Sequence, residues 1–448
     1  MEIQVRSSTM VRPAQDEPTR TLWSSNLDVV ASRKHVSLVY FYRPITINGS
    51  NRSFFDTGAL KDSLSKVLVP FYPLAGRLGW DPDGRIQVNC NGEGALFVEA
   101  YTTSAINDFV DLKAPTSQLL SLVPVVDYST HISSYPLLLL QVTFFKCGGV
   151  CLGLGLHHIF ADGTSLFHFM SSWAEVTRGH SVTVPPIFDH HLLRARVPPT
   201  PSFRHTEFDP APSVYTPKQS SKLQETPLSI STTVLKITPH QLNTLRLRTN
   251  VKSKYSNYVI LAAHIWRCMC KARGLPDGEV TSLYIPVTGR CRLNPNLPPG
   301  YFGNAIVKAR AQSLAGKVQS GPFIQTVESI HQTIKRMDDD YLRSVIDYLE
   351  EQRNLDLVRA TYSSNFKYPN LTVVSWAGCN LYDADFGWGR PIYVGQAMIY
   401  FQGAVFILPS PSNDGSLWLN IGLEADRIHL FERYFYGFDA TPIIPSTL

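Results

Sequence analysis

The chain has 448 residues, of which 44% are hydrophobic and 17% charged, with a formal net charge of +5. At about 150 residues per domain such a length holds two or three cores, and the composition is that of a globular protein. The positive excess is spread out, with no Lys/Arg run and no aromatic–basic interleaving, which argues against nucleic-acid binding.

Met1 to Arg6 alternate like a strand and lack the apolar segment of a secretory signal. Leu60 to Val69 reads as a helix, and Leu137 to Phe145 and Val150 to Leu156 read as strands. The apolar run from Leu137 is interrupted by Gln141 and Thr143 and is too short to span a bilayer. In the next strand, large residues fill the even positions and small ones the odd positions. One face therefore packs, and the other admits a close backbone or ligand. His157 and His158 follow, and strand geometry would point them to opposite sides. After Gly163 the spacing turns helical, with Leu166, Phe169, Met170 and Trp173 on one side. A strand-to-helix junction is a usual place for site residues in α/β proteins.

Between Pro185 and Pro217 lie eight prolines. Proline removes backbone donors and fixes φ, so an extended crossover rather than a packed element is expected. The division expected is residues 1–184, a crossover at 185–225, and residues 226–448. Each half mixes strands and helices, giving an α/β fold of two similar-sized mixed-sheet domains with a ligand cleft between them. In the second half Ser256 caps a helix carrying Tyr258, Leu261, Ala262, Ile265 and Met269 on one face. Gly403 to Leu408 and Leu417 to Ile421 read as strands joined through Asn413-Asp414-Gly415.

The seven cysteines are scattered and form no C-x-x-C, so neither a disulfide framework nor a zinc site is expected, and a cytoplasmic location follows. His158 to Asp162 gives H-x-x-x-D. By spacing alone, a structural histidine and a working one both stay open. No H-E-x-x-H occurs, and Asp189-His190-His191 lies in the crossover, so no metal is expected. There is no G-x-S-x-G, no P-loop, and no G-x-G-x-x-G opening a helix. Without a covalent nucleophile or cofactor motif, the chemistry left to a histidine is direct general-base catalysis.

His158-Ile159-Phe160-Ala161-Asp162-Gly163 together with Asp385-Phe386-Gly387-Trp388-Gly389 resembles the paired signatures of the plant BAHD acyltransferases. The likeness runs nearly end to end, through Ser8 to Ala14, Pro70 to Leu78, Pro298 to Asn304 and Tyr382 to Pro391. It looks nearest to the hydroxycinnamoyl-CoA:shikimate/quinate hydroxycinnamoyltransferases. The resemblance implies a monomer with a channel between its domains, acyl-CoA as co-substrate, no bound cofactor, and no nucleic-acid or membrane partner. It implies His158 as the base and the Trp376 indole N–H as donor to the oxyanion, although a core tryptophan stays open. Asp162 is implied to turn from the cleft and pair with Arg290. Asp385, Gly387 and Trp388 are implied to form a structural turn. For CoA, Lys252, Lys254 and Ser256 are candidates, against the alternative of a merely solvated basic run.

The match departs on the acceptor side. Arg359 corresponds to an arginine that binds the shikimate carboxylate, but two extra residues separate it from Pro369-Asn370-Leu371. The family's Thr-Ser-Trp reads Val374-Ser375-Trp376, and a polar Thr-x-Ser-x-Tyr reads Val36-Ser37-Leu38-Val39-Tyr40. Val36, Leu38, Tyr40, Arg359 and Val374 are thus the acceptor candidates. An acceptor less hydroxylated than shikimate is expected, because unpartnered hydroxyls cost about 1–3 kcal/mol each. An N-acyltransferase using an arylalkyl amine and a catalytically silent acyl-CoA-binding relative are the alternatives.

Overall fold

The periodicities read above become two six-stranded mixed sheets. The computed structural model describes residues 2–16, 18–44, 54–110, 116–210, 230–250 and 254–437. The first sheet runs in the order β1 (Gln4–Val11), β6 (Ala95–Thr102), β7 (Leu138–Phe145), β8 (Val150–His157), β3 (His35–Tyr42) and β13 (Tyr393–Gln396). The second runs β11 (Ile306–Leu314), β10 (Val280–Thr288), β12 (Leu371–Ser375), β14 (Ala404–Pro409), β15 (Leu417–Glu424) and β9 (Ile230–Ile237). A small sheet of β2 (Arg20–Trp23), β5 (Ile86–Cys90) and β4 (Arg77–Trp80) lies beside the first.

The large/small alternation in β8 has a direct structural cause. A Cβ on Gly153 would fall 1.8 Å from the Leu122 carbonyl oxygen, so only glycine lets that backbone lie across the strand. The even-numbered leucines of β8 face the other way, into the core shared with Leu38, Phe160 and Trp173. The helix expected from Leu60 begins earlier, at Thr57, because the Asp56 carboxylate accepts from the Gly58 and Ala59 N–H groups.

The two halves are not independent. Strand β13 comes from the second half yet pairs with β3, from Tyr393 opposite Phe41 to Gln396 opposite Leu38. Phe302, Trp376, Phe386, Trp388 and Leu408 likewise bury against the first half's core. The described part of the Pro-rich stretch, residues 185–210, contains no strand or α-helix, but it is packed. Arg196 bonds Asp347, His205 bonds Ser344, and Glu207 accepts from the Tyr341 hydroxyl. Side chains there make the contacts that prolines cannot make through the backbone.

Candidate active site

Strand β8 ends at His157, and the next helix, Gly163–Thr177, is N-capped by Asp162. His157 turns inward. It is fully buried, edge-on to His35 at 5.0 Å and stacked on Tyr135 at 5.9 Å. Burial holds its pKa well below that of a free imidazole, and the neighbouring His35 and His158 rings add to the shift. His158 faces the other way and is half-buried. Its N–H donates to the Lys34 carbonyl at 3.1 Å. Its own carbonyl accepts from Asn304 Nδ2 at 2.8 Å, and the same amide reaches the Ile159 carbonyl at 3.0 Å. One side chain from the second half therefore holds the backbone on which the His158 ring is mounted. Burial lowers the His158 pKa and the Lys308 charge adds to that, while its own backbone and Asp162 pull upward. The ring is neutral at pH 7.

Asn304 rests on a buried network. Asp28 accepts from the Asn304 N–H and Nδ2, both at 2.9 Å, and pairs with His190 Nδ1 at 2.8 Å. Burial alone would raise the Asp28 pKa, but the His190 charge and hydrogen bonds outweigh it and leave the carboxyl below its usual range. His190 is raised in return, Asp28 overcoming the cost of burial.

Asp162 does not aim at His158. Its carboxylate takes two hydrogen bonds from Arg290, at 2.6 and 3.0 Å, plus the Ala305 N–H at 3.1 Å and the Ser165 N–H at 3.1 Å. Arg290 also donates to the Ser165 hydroxyl and the Gly303 carbonyl. The histidine loop is thus pinned to the second half by a forked ion pair, the geometry that holds a carboxylate most rigidly. Trp376, just past the end of β12, is buried between Phe167, edge-on at 5.1 Å, and Phe406 at 5.3 Å. Its Nε1 stands 3.0 Å from where a Cβ on Gly163 would lie. The indole N–H therefore lies against the last residue of the His158–Gly163 motif.

These residues sit on a fold shared with a solved structure. Vinorine synthase superposes with a TM-score of 0.75 at 22% identity, covering 98% of each chain. A family model described as the transferase family matches residues 1–437. Shikimate O-hydroxycinnamoyltransferase of Nicotiana tabacum is 48% identical over 442 residues, covering 98% of this chain and 100% of the relative. The chain belongs to the BAHD acyltransferase family. It is a CoA-dependent acyltransferase. A hydroxycinnamoyl-CoA:5-hydroxyanthranilate N-hydroxycinnamoyltransferase of Avena sativa is 46% identical, covering 97% of this chain and 99% of the relative.

The remaining candidates of this acyltransferase fall in different places. Asp385 Oδ1 accepts from the Gly387 and Gly389 N–H groups at 2.8 and 3.0 Å, and both glycines have positive φ, +98° and +96°. Asp385 thus caps the turn's backbone through its carboxylate, while Arg178 bonds its carbonyl. Phe386 packs on Trp173 at 4.8 Å and Trp388 on Phe55 at 5.1 Å, so the turn is bolted into the first half's core. Of the acceptor candidates, Val36 and Val374 are half-buried, whereas Leu38 and Tyr40 have no exposed surface. The latter two are core residues: with Leu154 and Leu152 beside them on β8, they pack into the core that holds Phe160, Phe169 and Trp173. Arg359 stands 3.6 Å from Asp356, a carboxylate it shares with Arg33.

Of the CoA candidates, Lys254 is exposed and paired with Glu328 at 3.0 Å, and Ser256 caps the helix Asn257–Arg273. Lys252 lies outside the described residues. Tyr258, two residues beyond the cap, bonds the Val373 carbonyl, tying this helix start to the strand that leads to Trp376. Among the described residues, no group of three or more His, Cys, Asp or Glu could hold a metal, and no helix is long and apolar enough to cross a membrane. Sequence reasoning missed Asn304 as the support of His158, the Asp28–His190 pair behind it, and Lys308. Asn304 lay within the stretch Pro298 to Asn304 and His190 within Asp189-His190-His191, whereas Asp28 and Lys308 carried no local signal.

Proposed function

We propose that this acyltransferase moves a hydroxycinnamoyl group, such as p-coumaroyl or caffeoyl, from its CoA thioester to an acceptor hydroxyl. The observation that carries the reading is His158, its pKa lowered by burial, on a backbone held from both halves, with Trp376 Nε1 packed beside Gly163 at the end of the same loop. The Nicotiana and Avena relatives both bear the hydroxycinnamoyl donor in their names, which supports the choice of acyl group.

His158 accepts the acceptor's proton as its oxygen attacks the thioester carbonyl, a role worth about 10²–10⁴ in rate. The oxyanion takes the Trp376 N–H, and a donor of that kind is worth roughly 3–4 kcal/mol. Collapse expels the CoA thiolate, which receives the proton from His158. Asp162 and Arg290 hold the loop and touch no reactant. Val36 and Val374 line the acceptor side with apolar groups, favouring an acceptor with fewer hydroxyls than shikimate. Lys254 and Ser256 are the described candidates for receiving the CoA phosphates. The described cysteines are all free, in keeping with a cytoplasmic enzyme, which we take to act as a monomer.

A second reading, amide formation with an aromatic amine, is favoured by the Avena relative. Incubating p-coumaroyl-CoA with shikimate, quinate, hydroxyphenyllactate, 5-hydroxyanthranilate and tyramine, with mass-spectrometric detection, tests both readings. Ester products establish the first and amide products the second. Absence of any conjugate refutes both and leaves a silent acyl-CoA-binding relative.

A further inference from the structure

One cation whose charge reaches His158 pairs with no carboxylate among the described residues. Lys308 lies on β11, opposite Pro286 of β10, and is half-buried. Its ammonium is cradled by aromatic rings, 3.5 Å from the centroid of Phe366 and 4.7 Å from that of Tyr362. Tyr362 also anchors the strand, accepting the Lys308 backbone N–H at 3.2 Å. Among the described residues no carboxylate pairs with this lysine. Burial alone pushes its pKa down to about 7, with no acidic neighbour to restore it.

The cradle lies on the same seam as His158. Phe366 packs on Phe401 at 5.8 Å, and the adjacent Tyr400 hydroxyl donates to the His35 carbonyl at 3.1 Å. His35 neighbours Lys34, whose carbonyl holds the His158 N–H. The Lys308 charge is felt at His158 and lowers its pKa. Arg359 already has Asp356. A cation kept in an aromatic cradle without an anion is costly unless a ligand supplies one.

We propose that Lys308 is the acceptor-binding residue for a carboxylate, pairing with an acidic acceptor beside His158 and selecting acids over their neutral counterparts. This rests on the acyl-transfer reading and deepens it by naming the acceptor class. A bound carboxylate would restore the ammonium's charge and offset its downward push on the His158 base. The acceptors named for the two relatives, shikimate and 5-hydroxyanthranilate, are both carboxylates.

The test uses the full-length enzyme with p-coumaroyl-CoA and two acids, shikimate and 4-hydroxyphenyllactate, each beside its methyl ester. In Lys308→Met the KM for the acids should rise about 30-fold or more, the range for removing one member of a desolvated charge pair. The ester KM and the KM for p-coumaroyl-CoA should stay put, and the apolar replacement should leave the melting temperature unchanged or higher. Equal losses for acid and ester would overturn the proposal, as would a raised KM for the thioester, which would assign the anion to a CoA phosphate. A selective loss in Arg359→Met with none in Lys308→Met would overturn it too. Calorimetry of the same acids on the CoA-loaded enzyme separates the two claims. If wild type binds an acid that Lys308→Met does not, yet transfers nothing to it, the site stands and the acyl-transfer reading falls. If acids bind wild type and Lys308→Met alike, the site falls.

Discussion

Replacing Gly163 with alanine should damage catalysis without damaging the fold. The new Cβ would stand 3.0 Å from Trp376 Nε1 and 3.4 Å from Cε2. Non-bonded heavy atoms settle at about 3.5 Å, so the indole must retreat by about 0.5 Å. Phe167 and Phe406 hold the ring at 5.1 and 5.3 Å, so the motion is a displacement of a packed group, not a free rotation. Oxyanion donors work over about 2.7–3.1 Å, and losing one outright costs about 10²–10³ in kcat. A half-ångström retreat should therefore cost roughly 10–10² in kcat. The backbone itself accepts alanine, since Gly163 opens a helix without a left-handed φ and alanine is the better helix former. Release of CoA thiol under saturating p-coumaroyl-CoA gives kcat, and a thermal melt gives stability, with Trp376→Phe as the full-loss reference. If Gly163→Ala keeps wild-type kcat while Trp376→Phe loses it, the contact does not position the indole. Should Trp376→Phe also keep it, the oxyanion role fails.

Three further outcomes follow from the same geometry. The acid limb of kcat/KM should lie below the 6.5 of a free imidazole, since burial lowers His158 and only its neutral form is a base; a midpoint above 6.5 contradicts this. Asp162→Ala leaves Arg290 without its buried partner and should cost about 3–5 kcal/mol, whereas Asp385→Ala, losing a cap on two amides, should cost about 1.5–3 kcal/mol; denaturant melts that reverse this order reject the assignment. Val36→Thr with Val374→Thr should raise kcat/KM for shikimate about 10-fold relative to hydroxyphenyllactate, by giving ring hydroxyls about 1–2 kcal/mol of pairing; an unchanged ratio removes both residues from the acceptor side.

Elements with a clean hydrophobic period were legible in the sequence. The alternation of β8, the helix from Gly163 and the hairpin of β14 and β15 each declare themselves by spacing. Helix starts were less legible, because Asp56 caps from outside the periodic run. What spacing cannot convey is pairing between distant residues. Strand β13 is four residues long and lies in the second half, yet its partner is β3. The Asn304 bond to His158 and the Arg290 fork on Asp162 span more than a hundred residues, and only the family resemblance pointed to the second. Leu38 and Tyr40 were assigned to the acceptor by position in a motif, whereas the face of β3 that carries them is buried in the core beneath the helix Gly163–Thr177. Lys308 was silent because nothing in a lone lysine on a strand announces the rings around it.

The central claim is that His158 deprotonates an acceptor during hydroxycinnamoyl transfer from CoA. Its most direct test is the turnover number of His158→Ala beside His157→Ala, measured as conjugate formed from p-coumaroyl-CoA and the best acceptor of the panel. The account predicts that His158→Ala folds normally, binds CoA normally and loses about 10² or more in kcat. His157→Ala should change stability more than rate. A His158→Ala enzyme that still forms conjugate at the wild-type rate, or a His157→Ala enzyme that is folded and the less active of the two, would contradict it.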